Sequence, residues 1–66
     1  MEYVIVKVES GAITGYWDGA AFQGNIDLSD VQGTIQDARF LQGSIQTQDL
    51  NFDVEYRAAD VSVVLV

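Results

Sequence analysis

The 66-residue sequence contains no cysteine, no histidine and no proline. The missing cysteines exclude disulfides, and the lack of both cysteine and histidine excludes zinc and most other transition-metal sites. Catalytic triads and thiol nucleophiles are excluded for the same reason. A chain of this length buries roughly 60% of its unfolded surface and usually needs disulfides, a metal or a partner subunit for stability. We therefore expect an unusually efficient core or oligomerisation.

Basic residues are scarce: three Lys and Arg stand against ten Asp and Glu, for a formal net charge of −7. Nucleic acids and anionic membranes are bound through clustered Lys and Arg, so we expect neither as a partner. An acidic surface instead favours solubility and attraction to basic proteins. Long apolar runs are also absent, since the longest, 63–66, is too short to span a bilayer. Without a recognisable signal peptide, the chain is expected to be cytoplasmic.

Hydrophobic residues make up 48% of the chain, which predicts a single folded domain over 1–66. A six-residue pattern occurs four times, starting at residues 13, 22, 31 and 41. Its form is apolar, Gln or Thr, Gly, polar or Tyr, Ile or Trp, then Asp or Gln. A period of nine to ten residues suits one short strand with one tight turn. The sequence therefore predicts an all-β fold, a small antiparallel meander or partly closed barrel of six to seven short strands.

The repeated glycines 15, 24, 33 and 43 suggest sheet bends, or close approach of an aromatic side chain such as Phe52, Trp17 or Tyr56. Asp18-Gly19 predicts a type I′ hairpin turn. Another turn is expected at Ser10-Gly11, closing a first strand over 3–9.

The two ends of the chain also have the patterns of strands. Residues 50–57 alternate apolar and polar side chains, and residues 61–66 are apolar on nearly both faces. Val4-Ile5-Val6 is two-faced in the same way. Because such strands are normally buried on both sides, we expect the first and last strands to lie deep in the fold as neighbours.

A helix around 29–42 is the alternative, giving an α+β fold of the form ββ-helix-β. Ser29 would be its N-cap, with Gln32 at the third helical position and Gly43 as the C-cap. The interior Gly33 counts against this helix, because it costs about 1 kcal/mol there.

Two resemblances rest on these motifs. Val31–Ile35 and Leu41–Ile45 resemble the Val-x-Gly-x-Ile elements of bactofilins, which implies a polymer-forming right-handed β-helix. Tyr3–Lys7, Gly15–Gly19 and Asp37–Phe40 are similar to segments of small uncharacterised phage and mobile-element proteins, which implies no particular chemistry.

Few side chains are candidates for chemistry. Asn51, Asp53 and Glu55 would share one strand face, where three oxygens could hold a weakly bound calcium ion. A solvated face on which Arg57 balances Glu55 is the favoured interpretation. We therefore expect no metal, no cofactor and no enzymatic activity.

The expected function is that of a small acidic β-rich interaction or assembly module that acts as a homo-oligomer. The alternative is a small acidic inhibitor, of the phage or mobile-element type, that binds a basic, nucleic-acid-binding surface of a partner protein. An aromatic cluster beside a turn and the bare apolar C-terminal run supply the predicted partner-binding residues. These are Tyr16, Trp17, Asp18, Val63 and Leu65.

Overall fold

A computed structural model describes residues 2–48 and 54–64 of the chain. Four antiparallel strands form one sheet in the order β3-β2-β1-β4, and a long helix packs on one face. The connection between β3 and this helix contains a short 3-10 helix. The elements are β1 Tyr3–Glu9, β2 Ala12–Trp17, β3 Phe22–Gln23, the 3-10 helix Ile26–Leu28, α1 Ile35–Gln48, β4 Val54–Asp60 and α2 Val61–Val64.

The strand β1 lies in the middle of the sheet and pairs with β2 on one side and β4 on the other. Val4 and Ile5 are completely buried and Val6 is 2% exposed, although successive side chains point to opposite faces. β-Branched side chains fit this pleated, two-sided environment. The expectation of a deeply buried first strand is confirmed, because β1 is apolar on both faces.

The β1–β2 hairpin turns at Ser10 and Gly11, between the paired residues Glu9 and Ala12. Both turn residues have positive φ, +53° and +79°, as a two-residue type I′ turn requires. The Asp18-Gly19 pair does not form the predicted two-residue turn. It lies in a longer connection, in which the amide of Asp18 donates to the carbonyl of Ala21.

The helix α1 starts after Thr34, whose hydroxyl accepts a hydrogen bond from the amide of Asp37 at 3.1 Å. This contact is that of an N-cap residue. Ala38 and Ile45, seven residues apart, lie on one side of the helix and are buried. They pack against Ile5 and Tyr56 of the sheet, which forms the larger of the two core clusters.

A smaller apolar cluster lies on the opposite face of the sheet, here called the valine face. Val4, Val6 and Val8 of β1 form its centre. Tyr16, Ala59 and Val61 pack around them.

An aromatic row crosses the helix-covered face of the sheet. The ring of Phe22 meets Trp17 edge-on, with centroids 5.1 Å apart, and stacks on Tyr56 at 5.3 Å. Gly15 makes this possible, since a Cβ at that position would lie 3.0 Å from the Cβ of Phe22. Close approach of an aromatic side chain thus occurs at Gly15, but the neighbour is Phe22 and not one of the three aromatics named from the sequence. Gly24, Gly33 and Gly43 have nothing within 4 Å of an added Cβ.

The predicted all-β meander or barrel of six to seven strands is wrong, since four strands form an open sheet and the fold is mixed α+β. The implied β-helix is wrong for the same reason. An α+β fold was the alternative, but the helix covers 35–48 rather than 29–42. Ser29 instead ends the 3-10 helix, where its hydroxyl donates to the carbonyl of Ile26. Gly43 lies inside α1 rather than at its C-cap.

The predicted strand over 61–66 is also wrong within the described residues, because Val61–Val64 is helical. Asp60 causes the change of direction: its carboxylate accepts hydrogen bonds from the amide of Ser62 at 2.9 Å and from its hydroxyl at 2.7 Å. The expectation that 61–66 lies deep beside β1 is therefore wrong for its described residues, and the strand that pairs with β1 is β4, which belongs to the separately predicted strand over 50–57. The predicted strand over 50–57 is observed from Val54, and its first residues lie outside the described part of the chain.

Two glycine substitutions should have opposite effects on stability. Gly15→Ala should destabilise the fold by about 1–3 kcal/mol, because the facing Cβ of Phe22 is close to its own main chain and has little freedom to move. Gly43→Ala should stabilise it by about 1 kcal/mol, because the position is helical and open. Urea unfolding of both variants measures the difference. Equal effects of the same sign would contradict this account of Gly15.

Candidate interaction surface

The two edges of the sheet differ in length and regularity. At one edge β3 has only two residues, and the neighbouring β2 carries an irregularity in its register with β1 between Lys7 and Val8. At the other edge β4 pairs with β1 over seven consecutive residues without a shift in register. In the described ranges, no strand pairs with the outer side of β4. Short edge strands and bulges discourage edge-to-edge association, and β4 has neither feature.

The hydrogen-bond pattern shows which main-chain groups of β4 point outward. Beyond the end of the ladder, the amide of Val61 donates to the carbonyl of Glu2 at 2.9 Å. Because bonded and non-bonded pairs alternate in an antiparallel ladder, Ala59, Arg57 and Glu55 bond to β1. The outward N–H and C=O groups therefore belong to Val54, Tyr56, Ala58 and Asp60. The main-chain bonds of Tyr3, which lies opposite Asp60, are consistent with this alternation. Its N–H and its C=O both bond to Gln32, on the side of β1 that faces away from β4.

One outward carbonyl of β4 has a partner from the helix. The side-chain amide of Gln42 in α1 donates to the carbonyl of Tyr56 at 2.6 Å. The Tyr56 side chain itself is only 2% exposed and belongs to the core. The helix thus contacts the sheet edge at its middle.

Glu55 and Arg57 form a two-point ion pair on the valine face of β4. Arg57 Nε donates to Glu55 Oε1 at 2.8 Å and Arg57 Nη2 to Glu55 Oε2 at 2.9 Å. The hydrogen bond from Arg57 lowers the pKa of Glu55, and the same contact raises the pKa of Arg57. Both side chains are more than half exposed, so their contribution to stability is small. The expected balance of Glu55 by Arg57 is confirmed, whereas Asn51 and Asp53 lie outside the described residues.

The predicted partner-binding aromatics do not share a surface. Trp17 is half-buried on the helix-covered face, where it packs against the larger core cluster. Tyr16 points to the other face and packs against Val4, Val6 and Val8. Both aromatics therefore contribute to packing.

Asp18 organises the turn between β2 and β3. Its Oδ1 accepts hydrogen bonds from the amides of Ala20 and Ala21 at 2.8 and 2.7 Å, and its Oδ2 accepts from Gln23 Nε2 at 2.9 Å. These hydrogen bonds lower the pKa of Asp18, and the bond from the amide of Ala21 has the largest effect. Its carboxylate is thus engaged within its own turn.

Val63 is 69% exposed in α2, immediately after β4, and Leu65 lies outside the described residues. Reasoning from the sequence missed the outer edge of β4, including Ala58 and the Gln42 contact. The alternation over 50–57 and the Glu-x-Arg pair signalled an exposed strand face, but no sequence signal told which strand would lie at the edge.

The described residues contain neither a candidate metal-binding cluster nor a candidate membrane-spanning helix. No group of three or more acidic side chains is placed to hold a metal ion in this part of the chain. No helix there is both long and apolar enough to cross a membrane.

Replacement of Asp18 should change how stability depends on pH. Because the pKa of this carboxyl is lowered in the folded state, its contribution is present at neutral pH and is lost as the pH falls through the folded-state pKa. Asp18→Ala should lower the melting temperature at neutral pH. The difference in melting temperature between this variant and the wild type should become smaller at acidic pH. Thermal unfolding across this pH range provides the measurement.

Asp18→Asn is the matched control for that experiment, because it keeps an acceptor oxygen and removes the charge. It should be more stable than Asp18→Ala at neutral pH. A difference in melting temperature between the wild type and Asp18→Ala that is the same at neutral and acidic pH would contradict this role of the carboxylate.

Comparison with known proteins adds no family to this description. No protein-family model matches the chain, and no curated protein or solved structure matches it either.

Proposed function

We propose that this chain is a non-enzymatic interaction module that associates with a second copy of itself through the outer edge of β4. The observation that carries the proposal is the long, regular β4 edge, whose outward main-chain groups include those of Val54, Ala58 and Asp60. Such an edge can add a strand from another chain, and main-chain hydrogen bonds supply the affinity.

The charge on β4 also supports self-association. Glu55 and Arg57 neutralise each other, so the middle of this strand carries no net charge although the whole chain has −7. A second copy approaching along β4 meets less repulsion there than at a surface of unpaired carboxylates.

Three carboxyl groups of the described residues are engaged by hydrogen bonds within the chain, which makes them unsuited to act as general acids. For Asp18, Glu55 and Asp60, hydrogen bonds lower the pKa. A general acid working near neutrality needs a raised pKa instead.

Sedimentation velocity over a series from micromolar to millimolar concentration tests the proposal. The wild type should shift from monomer to dimer as its concentration rises. Ala58→Pro should reduce dimerisation, because it removes an outward N–H and proline is tolerated at such edge positions. Circular dichroism and the melting temperature of the dilute protein show whether the variant still folds. A wild type that stays monomeric over the whole series would refute the proposal.

The second candidate function is a small acidic inhibitor that covers a basic surface of another protein. The observation that favours it lies between β3 and α1. Leu28 and Val31 are 57% and 47% exposed, and they lie beside the exposed Asp27 and Asp30. Apolar side chains interspersed with carboxylates complement a basic amphipathic surface.

A synthetic amphipathic helix of lysine and leucine serves as the probe for this second function. Its binding should weaken steeply as salt rises, because charges separated by more than a Debye length are screened. Leu28→Ser should weaken binding of the probe relative to the wild type. Phe40→Ser is the matched control, because it also removes an exposed apolar side chain: Phe40 on α1 is 82% exposed. Equal effects of the two variants would count against a surface centred on Leu28.

A further inference from the structure

We infer that the outer side of α1 is a second contact between copies of this chain, in which Phe40 of each copy packs into the space above Gly43 of the other and the two helices run antiparallel. This contact lies on the helix rather than on the outer edge of β4, so it goes beyond the function proposed above. Four residues form the surface, here called the outer stripe: Gln36, Phe40, Gly43 and Thr47.

The outer stripe lies on the side of α1 that faces away from the sheet. Ala38 and Ile45 mark the side that is buried against the sheet. Since successive helical residues are about 100° apart, Phe40 lies roughly 200° around the helix from Ala38. All four stripe residues are exposed, and Phe40, at 82%, is the most exposed of the large apolar side chains that the structure describes. Its ring is therefore accessible to a second molecule.

The four residues are spaced like those in the seam of a coiled coil. Their separations are four, three and four residues, which is the alternation of a heptad repeat. An isolated helix of 14 residues is marginal in water, but α1 is already held by its packing against the sheet. A second helix can therefore dock on α1 without the cost of ordering it.

Hydrogen bonding within α1 makes the end of the stripe apolar. The hydroxyl of Thr47 donates to the carbonyl of Gly43 at 2.7 Å and lies 3.0 Å from the carbonyl oxygen of Ser44. The polar group of Thr47 is thus used within its own helix. Its methyl group is the part of the side chain left to pack on a second helix.

Gly43 leaves a gap in the stripe next to the ring of Phe40. A Cβ added to Gly43 would meet nothing within 4 Å, so no described side chain of the same copy fills this space. Residues three apart on a helix are neighbours on its surface. The same helix therefore carries both a protruding ring and a space that can receive one.

Matching the ring to the gap selects the antiparallel orientation. With a two-fold axis between residues 40 and 43, each Phe40 lies against Gly43 of the other copy, and each Gln36 lies against Thr47 of the other copy. A parallel pair would place Phe40 on Phe40 and Gly43 on Gly43. Overfilled and empty layers are both destabilising, so the antiparallel pair fills the seam better.

The charge of α1 favours a second copy as the occupant. The helix contains one carboxylate, Asp37, and one guanidinium, Arg39, and residues 40–48 carry no charge. Two copies with a net charge of −7 repel each other, and the repulsion is weaker where local charges balance. In the antiparallel pair Arg39 lies beside Gln46 of the other copy and Asp37 beside Ser44 of the other copy. No like charges therefore face each other.

Two substitutions test the fit by sedimentation velocity at concentrations up to millimolar. Phe40→Ala should weaken the dimer by roughly tenfold or more, because both layers lose an aromatic ring. Gly43→Leu should also weaken it, because the gap is filled, while the melting temperature of the dilute protein should rise. Non-specific hydrophobic attraction predicts tighter association of Gly43→Leu, and that result would overturn the inference.

A mixture of these two variants should restore the fit. In the heterodimer one layer pairs the introduced leucine with the introduced alanine, and the other keeps Phe40 on Gly43. An equimolar mixture should therefore associate more tightly than either variant alone. Circular dichroism of the dilute variants checks that each is folded. The absence of any gain on mixing would count against the packing of Phe40 on Gly43.

Disulfide trapping tests the orientation. The chain has no cysteine, so an introduced cysteine can react only with another introduced one. A mixture of Gln36→Cys and Thr47→Cys should give the mixed disulfide in excess of random pairing, because these positions share a layer of the antiparallel pair. A parallel pair would instead link each variant to itself, which would overturn the orientation.

Repeating these experiments with the added substitution Ala58→Pro separates this contact from the edge of β4. A dimer that persists with Ala58→Pro but is weakened by Phe40→Ala supports the α1 contact and contradicts the β4 contact. A dimer that is lost with Ala58→Pro and is insensitive to Phe40→Ala overturns the α1 contact and leaves the proposed function standing. A wild type that is monomeric throughout overturns both.

Discussion

The structure depends on one constraint: β1 has apolar side chains on both faces and must be covered from both sides. Val4, Ile5 and Val6 are almost fully buried in a chain of only 66 residues. Placing β1 between β2 and β4 satisfies its main chain, and α1 covers the side of Ile5. The other side is covered by Tyr16, Ala59 and Val61, which come from neighbouring elements. In the described part of the chain, β3 extends the sheet beyond β2 and no strand extends it beyond β4, so β4 lies at an edge.

The larger core is held together by aromatic packing over a glycine. Gly15 has no side chain, so Phe22 can approach β2 closely and extend to Tyr56. The Nζ of Lys7 lies 5.8 Å from the centroid of the same ring, a distance at which the cation is attracted to the ring face. This packing connects the shortest strand of the sheet to the strand at the opposite edge. A core with few large aliphatic side chains is thereby extended across the sheet.

Features that depend only on a few neighbouring residues could be predicted from the sequence. The two-faced run of Val4 to Val6 predicted a buried strand, and the Glu55–Arg57 spacing predicted a balanced strand face. The repeated motif misled, because its copies occur in β2, in β3 with the 3-10 helix, across the start of α1 and inside α1. Packing decides between these structures. The copy containing Gly43 is helical because Ala38 and Ile45 on the same helix reach the buried side of the sheet, which offsets a glycine cost of about 1 kcal/mol. Which strand lies at the edge is likewise a property of the assembled sheet, so the candidate surface could not be read from single motifs.

The surfaces proposed for the two candidate functions lie at different ends of the molecule and differ in charge. Lys7 pairs with Glu9 on β1, and Arg57 pairs with Glu55 on β4, so two of the three cations lie in the same half of the sheet. At the far end, the Oδ2 of Asp30 lies 3.8 Å from where a Cβ on Gly19 would be, close to Asp18. Because repulsion is weakest where charges cancel, the proposed self-association is consistent with an interface along β4. A dimer formed there would carry its two acidic ends outward. Self-association and attraction of a basic partner are therefore physically compatible in one molecule.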